Sequence, residues 1–504
     1  MVPFLRTLLA ALLLTALAPL TARAASDDQK TFANSVVDRN TQAINDMADS
    51  LYFFGELGMQ EFESTKLVRD TMTAAGFTVE LGGAGMPTNF WAKWGSGKPY
   101  IVIETEVDAL PGGSQTPDVF THKPLVDGAP GHMEGHNTHS GVSTAAAFAV
   151  KQTLEKYHLP GTIAVHFGPA EESLGSRPFV VRAGYFKDVD AVIYLHIGDN
   201  FTTGAGLQDY AAISTRFAFH GKTAHAAIDP WDGKNALDAA ELMDSGVAFL
   251  REQLLPSARV HRAITNGGLQ PNIIPELTEV WYFVRDRTMQ LAKQTQDKIV
   301  NIAKGAALMT GTTVDITYDA SGWPQLSNKA LSLVVQKNFD AVGMPAWTDT
   351  EQTYAKGLQK ALNVKEVGLY TKPTPYGDRV QVAASNDSGD ISWVVPAVTY
   401  TFPASVPGIQ YHNWQAGVTP VSSIAHKGEI VGAKALADTI LDFMTEPDVL
   451  AAARTEWLQV TKDAGYFSLL PPDAQPQVDM NKATMSKYRP AMSKYYLHKT
   501  PRYQ

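Results

Sequence analysis

Three short apolar runs confine this chain to a narrow set of folds: Tyr100 to Glu106, Thr162 to Phe167 and Ala191 to Leu195. Each has the length and residue content of a buried strand, and each stops at side chains able to carry charge or hold a proton. Asp108 follows the first, Glu171 and Glu172 the second, and His196 the third. Ser140 to Tyr157, rich in alanine, reads as a helix between the first two runs. Strands alternating with helices imply an α/β fold with a mainly parallel sheet, and such sheets bind ligands beyond the carboxyl ends of their strands. The polar residues therefore stand where a ligand would bind.

Helical spacing over Thr31 to Phe54 and Glu63 to Ala75 precedes these runs, and a helix through Ala433 to Phe443 follows them. Between Ile213 and Asp319 the texture differs. A strand ending at His220, a helix over Asn235 to Leu254, a strand over Thr278 to Asp286, a helix over Thr288 to Leu308 and a strand over Thr312 to Asp319 form a compact α+β unit. That is the size of a small domain inserted in a larger one. The expected division is 25–212 and 323–445 for the main domain, 213–322 for the insertion and 446–504 for a C-terminal extension. Its Pro, Lys, Met and Tyr content predicts an irregular tail packed on the surface.

Gly131 to Gly141 places three histidines and a carboxylate within eight residues, beside glycines that permit tight turns. Imidazole and carboxylate are the ligands that borderline divalent ions take, although a glycine-rich His cluster can equally be a solvated loop. The adjacent Glu171 and Glu172 point to opposite sides in extended backbone, which suits them to two tasks, ligation and proton transfer.

Residues 1–24 stand apart. Arg6, an apolar run from Thr7 to Leu20 and the small-x-small pattern Ala22-Arg23-Ala24 predict a secretory signal peptide cut after Ala24, because the run is shorter than the roughly 20 residues that span a bilayer. The remaining chain has 40 Lys+Arg against 51 Asp+Glu, a net charge of −11, which disfavours a nucleic-acid partner. With no cysteine, the chain has neither disulfides nor thiolate chemistry nor a site for lipid attachment. An exported, periplasmic or secreted protein without a membrane anchor after cleavage is expected.

Seven motifs in order carry a more specific resemblance. Asp108-Ala-Leu-Pro, Gly131-x-x-x-Gly-His-Asn, Pro169-Ala-Glu-Glu, His196 after the next strand, Gly221-Lys-x-Ala-His-Ala, Thr265-Asn-Gly-Gly-x-x-Pro-Asn and Ser422-Ser-Ile-x-His-Lys-Gly resemble the metal-dependent amidohydrolases that include aminoacylases, carboxypeptidases and aminobenzoyl-glutamate hydrolase. Val180-Val-Arg-Ala-Gly, Asn235-Ala-Leu-Asp-Ala and Ser392-Trp-Val-Val-Pro match the style of the aminobenzoyl-glutamate branch. The resemblance implies a di-metal catalytic domain with an inserted lid that also dimerises. It implies two divalent ions, Zn or Mn, held by Glu134, His136, Glu172, His196 and His426, with Glu171 as general base. Asp108 supports the catalytic group by orienting a ligand. His225, Asn272, Arg285 and His412 are implied substrate contacts, His225 by reaching into the active site of a second copy of the chain.

Relatives usually carry cysteine where this chain has Glu134. A carboxylate is harder than a thiolate and can bridge two ions, so the exchange favours ions with more oxygen character. His132 and His139 are expected as supporting residues, and His122, His158, His166 and His261 as ordinary surface or packed side chains. Trp414 beside His412 is the one tryptophan placed near the site entrance. The expected activity is hydrolysis of an amide bond in N-acyl or aminoacyl amino acids or aromatic amides. The alternatives are a dipeptidase or carboxypeptidase of the same fold and a non-catalytic exported binding protein.

Overall fold

A computed structural model describes residues 25–377, 380–497 and 499–504, so the expected signal peptide lies outside the described residues. Among the described residues twelve strands run in chain order: β1 Thr78–Leu81, β2 Phe90–Ser96, β3 Tyr100–Thr105, β4 Gly161–Phe167, β5 Ala191–Gly198, β6 Gly206–Leu207, β7 Ala211–His220, β8 Arg259–Asn266, β9 Leu277–Asp286, β10 Thr313–Gly322, β11 Leu326–Ser327 and β12 Ala397–Pro403. The main sheet has the order β1-β2-β4-β3-β5-β12. β4, β3, β5 and β12 are mutually parallel, while β1 and β2 add an antiparallel edge. All seven residues of β4 are buried, as expected of a strand covered on both faces.

The helix Asn137–Tyr157 crosses beneath the sheet and packs on Ser423–Thr445. Its run of small residues permits a close approach. Gly428 lets the second helix close on the sheet as well, since a Cβ there would lie 1.9 Å from the Pro403 carbonyl oxygen at the end of β12. One core cluster joins both helices to Ile101, Ile103, Ile163, Val165, Ile193 and Val398 of the sheet.

The insertion has its own antiparallel sheet, β10-β7-β9-β8, and its own core, formed with helices Ala236–Leu250 and Met289–Thr310. Burial alternates along β9, so Val280, Tyr282 and Val284 face the helices while Trp281, Phe283 and Arg285 occupy the other face. The edge strand β8 is not among the elements expected from the sequence. Most of its residues are exposed, so it lacks the apolar alternation that announces a strand.

The other differences have local causes. The stretch from Thr31 to Phe54 is two helices, Asp27–Arg39 and Thr41–Phe54, broken at Asn40, whose side chain instead donates to the carbonyls of Val36 and Gln504. The C-terminal extension is not an irregular tail: it holds helices Pro447–Thr461 and Lys482–Met492. It is pinned by Arg489, which donates to Glu56 at 2.8 Å and to the Gln60 carbonyl, and by Met485 and Met492, buried with Leu57 and Ala129. Its few buried positions come from the chain it lies on, so periodicity alone did not show them. No helix among the described residues is long and apolar enough to cross a membrane.

Candidate active site

Beyond the carboxyl ends of β3, β4 and β5, a cavity of about 760 Å³ opens between the main domain and the insertion. Its floor carries Glu134, Glu171, Glu172, His196 and His412, while His261, Phe283 and Arg285 of the insertion form part of its wall. Glu134 and His136 converge because Gly135 takes φ +100°, and a Cβ there would meet Ile197 at 2.7 Å. Glu171 and Glu172 sit in a tight 3₁₀ turn between Ala170 (φ +54°) and Leu174 (φ +56°). The turn replaces the extended backbone expected for them. As a result both carboxylates approach His136, with the three potential ligand atoms within 4.8 Å of one another.

Two further groups overlap with this one: Glu134, His136 and His196, and Glu134, Glu172 and His412. Glu134 lies between them, 3.3 Å from His196 Nε2 through Oε1 and 2.8 Å from His412 Nε2 through Oε2. His412 adopts φ +55°, unusual for histidine, and its amide donates to the Met133 carbonyl. Backbone and side chain of His412 are thus both tied to the segment that carries Glu134.

The supporting contacts set tautomers. His136 Nδ1 lies 3.1 Å from the Asp108 carbonyl, to which it donates, and this leaves Nε2 directed at the carboxylates. Asp108 Oδ2 accepts the Glu172 amide N–H at 3.1 Å, so Asp108 orients two members of the cluster. His139 Nε2 accepts from the Ile197 amide, and its Nδ1 faces Glu106 at 3.3 Å. Burial holds the His139 ring down to about 3, so it is neutral and serves as a support. His132 is neutral for the same reason and contacts the Leu51 carbonyl.

Electrostatically the floor is short of positive charge: burial opposes it, and although the facing carboxylates raise His136 well above and His196 above the ordinary imidazole value, three glutamates share those two rings. Burial and then neighbouring carboxylates push Glu171 and Glu172 well above the usual carboxylate range. Burial also opposes charge on Glu134, yet hydrogen bonds from His196 and His412 hold it well below that range. Acids crowded this closely cannot all ionise without added cations. The buried Nε2 of His136 and Oε1 of Glu172 have no hydrogen-bond partner. Unpaired buried lone pairs on imidazole and carboxylate, facing one point, are a donor set suited to divalent metal.

The remaining predicted residues divide clearly. His426 is not brought to the cluster: its Nε2 pairs with Asp49 Oδ1 at 2.8 Å, because the helix Ser423–Thr445 directs that position toward the Thr41–Phe54 helix. His412, expected only as a substrate contact, is the fifth residue of the convergent set. Arg285 reaches the cavity from β9, whereas His225 and Asn272 are exposed on the insertion and do not line it. His225 Nδ1 accepts from the amides of Ala227 and Ile228. His261, expected to be an ordinary residue, lines the cavity. Trp414 does not: its ring stacks on His122 with centroids 6.1 Å apart.

A buried ion network under the floor is also absent from the sequence-based expectations. Arg177 Nε donates to Glu104 at 2.7 Å, its Nη2 to Glu106 at 2.7 Å, and its Nη1 lies 3.1 Å from Asp387. His166, expected to be ordinary, contacts Glu104 at 2.6 Å and Asn89 at 2.7 Å. Two glutamates in an otherwise apolar run, Glu104 and Glu106, were the available signal.

Comparison with known proteins gives the family. The description of Peptidase family M20/M25/M40 matches residues 102–384. The chain belongs to this family. It is 34% identical over 472 residues to one of the subunits of the p-aminobenzoyl-glutamate hydrolase of Escherichia coli K12, covering 88% of this chain and 98% of that protein. It is 29% identical over 435 residues to mouse Xaa-Arg dipeptidase, covering 84% and 90%. Among solved structures, an aminobenzoyl-glutamate utilization protein from Klebsiella pneumoniae shares the fold with TM-score 0.55 and 17% identity, over 81% of this chain and 97% of that one. A dinuclear metal-binding M20 peptidase from Bacillus subtilis does so with TM-score 0.51 and 18% identity, over 81% and 99%. The M20 chain is accordingly a hydrolase of amide or peptide bonds.

Proposed function

We propose that this M20 hydrolase cleaves the amide bond of N-acyl or aminoacyl amino acids, including aminobenzoyl-glutamate-like aromatic amides, with two divalent ions and Glu171 as base. The observation that carries the reading is the convergence of Glu134, His136, Glu172, His196 and His412 around unpaired buried lone pairs, with Glu171 beside them. Those five would hold the ions, Zn or Mn, with Glu134 shared between the two groups. Bound ions would acidify water and polarise the amide carbonyl. Glu171 takes the proton from the attacking water and returns it to the departing amine nitrogen. Burial makes Glu171 a reluctant anion, and nearby cationic charge would restore its basic form. Asp108 keeps His136 and Glu172 in place, and Arg285 grips a substrate carboxylate at the wall.

The insertion is also read as a dimerisation unit, with His225 and Asn272 completing a partner's cleft. The exposed edge strand β8 and exposed Trp231, Phe249 and Leu269 support a second copy. Export to the periplasm or medium with cleavage after Ala24 completes the proposal. N-terminal sequencing of the exported protein should begin at Ala25. The decisive experiment is metal analysis of purified protein together with turnover of p-aminobenzoyl-glutamate. About two ions per chain and release of both halves support the reading. Metal-loaded protein that binds the compound without cleaving it would instead favour a binding protein.

A further inference from the structure

The register of the insertion's sheet places two arginines face to face. Arg259 of β8 is directly opposite Arg285 of β9, and His261 is opposite Phe283. Residues directly opposite in an antiparallel pair share a face, and alternate residues on each strand do too. Arg259, His261, Phe283 and Arg285 therefore lie on one face, the one turned from the helices. His261, Phe283 and Arg285 line the catalytic cavity. His261 and Arg259 also line a depression of about 430 Å³, together with Arg251. The cleft thus continues past His261 onto an arginine-rich shelf.

Like charges directly opposite one another destabilise a sheet unless something offsets them. Arg216, on the same face, shows how this sheet does so: it pairs with Glu279 at 2.9 Å and Asp319 at 2.6 Å. Among the described residues, no carboxylate lies within 4.0 Å of Arg251, Arg259 or Arg285, in a chain of net charge −9. The shelf guanidiniums are nonetheless held. Arg259 Nη1 donates to the Pro256 and Ala258 carbonyls, and Arg251 Nη2 to the Val260 carbonyl. A guanidinium has five N–H donors in a fixed fork, so each keeps several free for an oxyanion.

We infer that Arg259 and Arg251, with His261 beside them, form a second anion position one strand away from Arg285, selecting amides whose amino-acid half carries two carboxylates. One carboxylate meets Arg285 within the cavity and the other meets the shelf. This assignment rests on the amide-hydrolase reading above and names its substrate class as acidic amino-acid amides.

The test compares p-aminobenzoyl-glutamate with p-aminobenzoyl-glutamine, which differ only in the distal carboxylate. The wild-type enzyme should show a KM lower by about tenfold for the glutamate compound, the scale of one charge-assisted contact. Arg259→Gln and Arg251→Gln should raise that KM with kcat unchanged and leave the glutamine compound unaffected. Lys304→Gln, an exposed position on the Met289–Thr310 helix, should change neither. Equal losses on both compounds, or no loss on either, overturn the shelf while leaving hydrolysis intact. If metal-loaded wild type cleaves neither, the hydrolysis reading fails. The shelf is then judged by calorimetric binding of the same two compounds, and an equal affinity for both rejects it.

Discussion

Two buried ionisable clusters lie one above the other beneath the cleft, and they solve the same problem differently. In the lower one Glu104, Glu106 and Asp387 surround Arg177, whose planar guanidinium reaches all three. In the upper one Glu134, Glu171 and Glu172 surround His136, whose Nε2 and the Glu172 Oε1 stay without a hydrogen-bond partner. The lower cluster carries its own cation and is closed. The upper has no guanidinium of its own, and on the proposed reading divalent ions would supply the missing charge and make it a reactive site rather than a brace. Tyr194 and His139, both in contact with Glu106, link the two.

The largest expected effect separates chemistry from binding within the upper cluster. Glu171→Gln in metal-loaded protein should lower kcat by roughly 10²–10⁴-fold, the range for losing a general base, while elemental analysis shows unchanged metal content. A variant as fast as wild type would remove Glu171 from the reaction. Next in size is the brace. Arg177→Met strands three buried carboxylates and should cost about 3–5 kcal/mol in denaturant unfolding. Glu172→Gln, by contrast, should raise the melting temperature of metal-free protein, since it relieves crowding among acids, and should abolish the rise caused by added Zn or Mn. If both variants destabilise metal-free protein equally, the contrast between clusters is lost.

A third comparison concerns two histidines. His412→Ala should lower the number of bound ions, whereas His426→Ala, paired with Asp49, should leave metal content unchanged. The smallest effect is read in pH. Asp390, at the outer edge of the brace, is pushed up to about 7 by burial. Its folded state holds a proton that the unfolded chain has released, so this group's contribution to stability falls as pH rises from about 4 to 7. Asp390→Asn should remove a slope of at most about 1.4 kcal/mol per pH unit from unfolding curves in that window. An unchanged difference between the two proteins across the window would show that Asp390 is ionised throughout.

The local determinants of this protein are written in its sequence. Apolar runs of strand length ending in Asp108, Glu171 and His196 specify a parallel sheet with polar residues at its carboxyl edge, because burial on both faces demands continuous apolar residues and the chain must turn where they stop. Gly135 between Glu134 and His136 marks a backbone that brings both together. Ordered motifs carried the family for the same reason, since each is a local piece of chemistry. Tertiary structure decided whatever depended on distant partners. His412 and His426 are both histidines near a glycine, and only the placement of their segments sent one to Glu134 and the other to Asp49. The last helix, Lys482–Met492, is held by residues over 400 positions away, such as Glu56 and Gln60. The pairing of Arg259 with Arg285 exists only through the register of β8 on β9. Periodicity reports which face of an element is apolar, whereas a site's charge balance depends on which elements meet, and packing alone sets that.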